Sequence, residues 1–152
     1  MAENLNYETA NSYCYNDSAE YCAKYGRLYT WASALVACPS GWHLPASAEF
    51  ETLINAIGGE SVAGTKLKST SGWDESGNGV SGSDDFFFSA LPAGNRDDNG
   101  DFYHEGYEAG FWSSTEFYSD GVIYMYFDYD NNYAFLNGYD KNNGVSVRCV
   151  KD

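Results

Sequence analysis

TWASALVACPSGWHLP, residues 30–45, contains a helix, a cysteine, a tight turn and a corner. Trp31, Ala34, Leu35 and Cys38 recur at helical spacing, which predicts one apolar face. Thr30 stands at the N-cap, where its hydroxyl can accept an early backbone N–H. Pro39 cannot continue the helix, and Ser40-Gly41 supplies the turn. Trp42, Leu44 and Pro45 lead into a second helix, begun by Pro45 or Ser47 and ending near Ile57, where Gly58-Gly59 provides a glycine cap.

Outward from that stretch, the 152 residues form one expected domain, 1–152, large enough to bury a real core. The formal charge is −14, from 22 acids against 8 bases. No basic stripe exists to neutralise phosphates, which excludes nucleic acid as a partner and disfavours anionic membrane. The charge suits an exposed protein, cation binding, or both. Aromatic residues are abundant, with 14 Tyr, 9 Phe and 4 Trp. Tyr mixed with Gly, Asn, Asp and Ser is the composition of an adaptable binding surface, and equally of a β-rich secreted domain with many aromatic core positions. Of the three pairings that Cys14, Cys22, Cys38 and Cys149 allow, Cys14–Cys22 with Cys38–Cys149 is favoured. The first pair closes the short polar loop CYNDSAEYC, and the second ties the first helix to the last strand. With no CxxC and two histidines, zinc is not expected. No signal peptide or membrane span is read in the chain, and no membrane insertion is expected.

Ala2–Tyr7 is expected as an edge strand and Tyr25–Tyr29 as a short strand. Residues 65–85 read as a long surface loop rich in Gly, Ser and acids. Phe86–Leu91 reads as a strand or core anchor, and residues 95–107 as a hairpin around Asp-Asn-Gly. Gly110–Thr115, Val122–Asp128, Tyr133–Leu136 and Val145–Val150 are expected as antiparallel strands. Helices followed by a meander make the fold class α+β.

Trp31, Ala34, Cys38, Gly41, His43, Leu44 and Glu49, as WxxAxxxC then GxHL then an acid, resemble the two-helix half of C-type lectin-like domains. The whole chain more closely resembles the FISUMP domain, the Fibrobacter-type major paralogous domain of bacterial surface proteins. MAENLNY (1–7), YGRLYTW (25–31), ACPSGWHLP (37–45), LKSTSGW (67–73), FSALPAGNR (88–96), FWSSTE (111–116) and SVRCVKD (146–152) carry the match. The resemblance implies a C-type lectin-like fold, two helices packed on a twisted antiparallel sheet with long loops, with Cys38 bridged to Cys149. It also implies a strand or two before MAENLNY, so that the chain is a fragment or a short form. The fold is related to the formylglycine-generating-enzyme branch, whose chemistry needs a reactive cysteine pair near the C-terminus. Cys149 stands there without a second.

The Glu-Pro-Asn, Gln-Pro-Asp and Trp-Asn-Asp tripeptides that hold calcium and sugar in many C-type lectins are absent, so sugar binding by that route is not expected. A calcium site elsewhere would draw on Asp74, Glu75, Asn78, Asp84 and Asp85, whose oxygens share one glycine-rich loop. Asp97, Asp98, Asn99 and Asp101 suit a hairpin turn better than an EF-hand. His43 is expected to hydrogen-bond backbone at its corner, and His104 to sit on an exposed hairpin. Ser113-Ser114 lacks a nucleophile elbow. The expected contact surface is Tyr124–Asn143, with Tyr124, Tyr126, Asp128, Tyr129, Asp130, Asn131, Asn132, Tyr133, Asn137, Tyr139, Asp140 and Asn142 as ligand residues. Loop residues 70–85 would join it. The Asn, Tyr and Asp bias near the C-terminus also matches targets of diversity-generating retroelements. These features lead to a secreted or cell-surface module binding an extracellular glycan or protein. An enzyme, either a hydrolase or one like the formylglycine-generating branch, and a structural subunit of a surface assembly are the alternatives.

Overall fold

The computed structural model describes residues 1–152. In chain order its elements are β1 (Ser12–Tyr13), α1 (Ala19–Tyr25), β2 (Leu28–Tyr29), α2 (Trp31–Ala37), β3 (Trp42–His43), α3 (Ser47–Ala56) and α4 (Glu60–Leu67). There follow β4 (Asn95–Arg96), β5 (Phe102–Tyr103), β6 (Glu108–Tyr118), β7 (Gly121–Asp128), β8 (Phe135–Asp140) and β9 (Val150–Lys151). The class is α+β, with all strand pairs antiparallel: β6-β7-β8 as the main sheet, and β1-β2, β3-β9 and β4-β5 as two-stranded ribbons.

The main sheet is covered on both faces. On one face Phe111, Met125 and Phe127 pack with Phe50, Ile54 and Ile57 of α3, with Ala63 and Leu67 of α4, and with Trp73. On the other, Trp112, Val122 and Tyr124 pack with Tyr29, Ala34, Leu44, Val145, Val147 and Cys149. Alternation along β7 divides its side chains between the two cores. Both favoured disulfides are formed, Cys14–Cys22 and Cys38–Cys149. The second fastens the end of α2 to the chain's last extended segment, within the second core.

The corner is built much as the sequence suggests. Trp42 N–H donates to the Pro39 carbonyl, and Gly58 and Gly59, at φ 114° and 91°, close α3 onto the Asn55 and Ile54 carbonyls. Other expectations change. Thr30 is the N-cap of α2, but its hydroxyl makes no capping bond and lies 3.4 Å from the Ser33 hydroxyl. The buried face of α2 is Ser33, Ala34 and Ala37, small residues that let the helix sit close to the sheet, while Leu35 and Val36 are exposed. Aliphatic residues on both sides of α2 hid this from periodicity.

Four α-helices form where two were expected. α1 lies largely inside the polar Cys14–Cys22 loop, and α4 (ESVAGTKL) has almost no apolar stripe to announce it. Gly64 in α4 faces the β7–β8 loop so closely that a Cβ would collide with the Asn132 and Tyr133 carbonyls. Residues 65–85 are not a surface loop throughout, because Leu67, Lys68, Ser69 and Trp73 are buried. Phe86–Leu91 forms no strand but does anchor the core: Phe86 and Phe87 are exposed, while Phe88 and Ala90 pack in the first core and Ala90 bridges to Lys68. Ala2–Tyr7 is not a regular strand, although Leu5 donates to the Val147 carbonyl and accepts from Arg27 N. The expected strand at Tyr133 begins at Phe135, and Val145–Cys149 meets β6 through one parallel bridge, Phe111–Ser146, and β2 through one antiparallel bridge, Tyr29–Val145.

Candidate functional site

Residues paired directly across an antiparallel sheet share a face. Glu108, Gly110 and Trp112 of β6 therefore lie beside Val122, Tyr124, Tyr126 and Asp128 of β7, and these beside Phe135, Asn137 and Tyr139 of β8. The result is a continuous ladder of rings. Trp112 and Tyr139 have centroids 5.9 Å apart, and Tyr139 stacks on Tyr124 at 4.6 Å and 17°. Tyr124 meets Tyr126 at 5.8 Å, and Tyr126 meets Phe135 at 6.4 Å and 26°. Phe135 stacks on Tyr133 at 5.1 Å and 8°. Trp112 and Tyr124 are buried at 0% and 8%, Tyr139, Tyr126 and Phe135 are half-buried, and the row ends in solvent with Tyr133 at 42%.

Polar groups flank the ladder. Tyr126 Oη donates to Asp128 Oδ2 at 2.7 Å. Glu108 Oε2 accepts from Asn95 Nδ2 at 3.2 Å and lies 3.0 Å from His104 Nδ1. Burial pushes the Tyr139 phenol up to about 12, with the Glu108 carboxylate adding to the effect. Tyr124 and Tyr126 are raised further, again chiefly by burial, and Tyr126 also by its bond to Asp128. These phenols therefore stay protonated, and able to donate, across the physiological range.

Lys68 sets the loop between β7 and β8. It is wholly buried, donates to the Asp128 and Asn131 carbonyls at 3.0 and 2.9 Å, and lies 4.8 Å from the Trp73 ring centroid. Burial pulls its ammonium down to about 8. Asn131 Oδ1 accepts from Tyr133 N at 2.9 Å, and Asn132 Oδ1 accepts from the Thr65 hydroxyl at 2.8 Å. Val80 N donates to the Tyr129 carbonyl at 2.7 Å, which ties the glycine-rich loop to the β7–β8 loop.

A family model described as the Fibrobacter succinogenes major domain matches residues 1–151. The chain belongs to that family. No curated protein and no solved structure matches it.

In this Fibrobacter major domain the expected contact residues fall into three groups. Tyr124, Tyr126, Asp128, Asn137 and Tyr139 share the ladder face. Tyr129, Asp130, Asn131, Asn132 and Tyr133 form the β7–β8 loop; Tyr133 joins the ladder, whereas Tyr129 packs edge-on against Tyr107 at 4.9 Å. Asp140 and Asn142 stand at the other end of β8, roughly 20 Å away along the strand, where Asp140 Oδ1 accepts from Asn142 N at 2.8 Å. Phe135, Glu108, Asn95 and Lys68 belong to the arrangement and were not expected. Phe135 could have been found from its two-residue spacing to Asn137 and Tyr139; the other three are brought in by topology alone.

The acids of the glycine-rich loop do not gather into a cation site, and no cluster of three or more acids, histidines or cysteines suited to a metal occurs. Asp74 accepts from Ser76 N at 2.7 Å, and Asp84 from both the N–H and the hydroxyl of Ser89, while Asn78 and Asp85 are exposed. Asp97 Oδ1 accepts from Gly100 N and Asp101 N, both at 2.8 Å, as a hairpin turn requires. His43 bonds carboxylates rather than backbone: Asp152 Oδ1 at 2.7 Å and both Glu49 oxygens at 3.1 Å. Those two acids, Asp152 foremost, raise its imidazole above the ordinary value. The buried Ser113 hydroxyl donates to the Ile123 carbonyl.

Proposed function

We propose that this domain is an extracellular glycan-binding module with a C-type lectin-like arrangement, and that the Tyr126–Phe135–Tyr133 end of the ladder is its contact face. The observation that carries this reading is the graded row of stacked rings, anchored in the core at Trp112 and Tyr124 and opening to solvent at Tyr133. Rings fixed from one end lose little freedom on binding, and their faces match the apolar C–H faces of sugar rings. Beside them the Asn137 amide N–H groups and Asp128 Oδ1 remain as partners for hydroxyl groups.

The two disulfides favour an oxidising, extracellular location. No helix is long and apolar enough to cross a membrane. The lectin-like arrangement is supported by the Cys38–Cys149 bridge from the end of α2 to the last extended segment, and by the helices packed against a three-stranded antiparallel sheet. On this reading recognition is independent of calcium, which is supported by the hydrogen-bond partners Asp74 and Asp84 find nearby in the chain. A glycan array probed with and without EDTA tests it: the expected result is retention on at least one glycan class in both conditions. Retention lost with EDTA would refute the calcium-free part, and no retention on any glycan would refute the ligand class.

A further inference from the structure

The sheet has one open edge. β8 pairs only with β7. Lys141 N donates to the Asp120 carbonyl, one residue beyond the Gly121–Asp140 pair. Antiparallel pairs alternate, so Phe135, Asn137 and Tyr139 turn their backbone groups toward β7. Ala134, Leu136 and Gly138 then turn theirs outward. Two observations agree: Ala134 N donates to the Glu60 carbonyl of α4, and Gly138 N is covered by its neighbour's Asn137 Oδ1. The Leu136 N–H and C=O and the Gly138 C=O are left without a protein partner.

The side chains beside this edge are of two kinds. Where the edge meets the helices, Glu51, Ile54 and Asn55 of α3, Glu60 and Ser61 of α4, and Tyr133 with Leu136 line a groove of about 660 Å³. It holds two carboxylates and an aromatic ring and no basic side chain. Further along, the exposed Phe117 ring packs over Gly138, where a Cβ would come within 3.1 Å of it. Leu136 and Gly138 occupy the same face two residues apart, which is the spacing at which a paired strand repeats its own side chains.

We propose that the β8 edge accepts an extended basic peptide segment of a partner protein as a fourth strand. A lysine or arginine of that segment lays its aliphatic stem along Leu136 and sets its charge between Glu51 and Glu60, beside the Tyr133 ring. The residue two positions away meets Phe117. Charge selects this occupant over a second copy of the chain, since each copy carries −14 and would bring like charges together. Backbone pairing supplies affinity and the acidic groove supplies selectivity.

The test uses a fluorescein-labelled, end-blocked peptide Thr-Lys-Thr-Val-Thr and anisotropy at low salt. Binding is expected, and it should weaken about tenfold when the protein carries Glu51→Gln with Glu60→Gln. A peptide N-methylated on the bond facing Leu136 should lose at least as much, because it cannot donate to the edge; this arm leaves the protein's fold untouched. Equal binding of the N-methylated peptide, or of one with Glu in place of Lys, would overturn the proposal. So would a dimer seen by sedimentation that Leu136→Pro abolishes, since it would make the occupant a second copy.

Discussion

Alternate residues of β7 live in different surroundings. Met125 and Phe127 are fully buried against α3 and its neighbours. Tyr124 and Tyr126, interleaved with them, face the second core, whose boundary runs out into solvent along the aromatic ladder. Along β7 the first face does one job, which is packing, and it opens at its β8 margin beside Leu136. The second changes along its length from packing at Trp112 to a free ring surface at Tyr133. Tyrosine suits such a graded face, because its ring can be buried while its hydroxyl reaches a partner.

The comparison implies that the two faces respond differently to damage. Breaking the Cys38–Cys149 bridge, which closes a separation of 111 residues within the second core, should cost the most. A Cys38→Ser, Cys149→Ser double variant is expected to lose about 4–5 kcal/mol in urea denaturation by the chain-entropy model. An unchanged midpoint would show that this core holds without its fastening. Phe127→Ala on the closed face should cost ~3–5 kcal/mol. Phe135→Ala on the open face should cost under about 1.5 kcal/mol, since little of a cavity forms where solvent already reaches. Equal costs would erase the distinction between the faces.

A subtler difference lies in alkaline titration. Tyr139 is held up to about 12, whereas an unfolded tyrosine titrates near 10. The folded state keeps its proton longer, so the stabilisation this group contributes is present below about pH 10 and is lost as pH rises through about 12. Absorbance at the phenolate band should show surface tyrosines ionising first, with the ladder titrating late and together with unfolding. Early ionisation of Tyr139 would mean that the ladder is looser than described.

The smallest effect belongs to neither face. His43 links Glu49 at the start of α3 to Asp152 just past β9. Its raised pKa means the added stability is full below the unfolded value near 6.5 and fades as pH rises through the folded one. Because the side chain is solvated, His43→Gln should lower the melting temperature only slightly at pH 5.5 and leave it unchanged at pH 8.5. A larger loss at pH 8.5 would reverse the sign.

Much of the scaffold was legible from local rules. The Thr30–Pro45 stretch announced α2, the turn and α3 through spacing, proline and glycine, and the cysteine order led to both bridges. What stayed hidden depends on contacts distant in sequence. α4 is a helix because Gly64 lets it approach the β7–β8 loop, a fit its own composition does not reveal. Lys68 reads as a surface lysine in LKSTSGW, yet it is buried because two loop carbonyls and the Trp73 ring wait for it. At the site, the Tyr, Asn and Asp run was visible, but its division was not. Strand pairing places Tyr124 inside and stacking on Phe135 places the loop residue Tyr133 outside, and Asn131, Asn137 and Asp140 each spend a side-chain oxygen on a nearby backbone N–H. Composition alone therefore overstates the contact surface, since folding accounts for several of the residues that suggested it.

The most direct test of the ladder as a contact face measures binding and stability in the same samples. Wild-type protein and the Tyr133→Ser, Phe135→Ser double variant would be titrated with the best glycan from the array by isothermal calorimetry, and each melted by circular dichroism. Loss of at least about tenfold in affinity, equivalent to about 1.4 kcal/mol, with a native spectrum and a melting temperature lowered by only a few degrees, is the predicted result. Wild-type affinity in the variant would contradict the assignment.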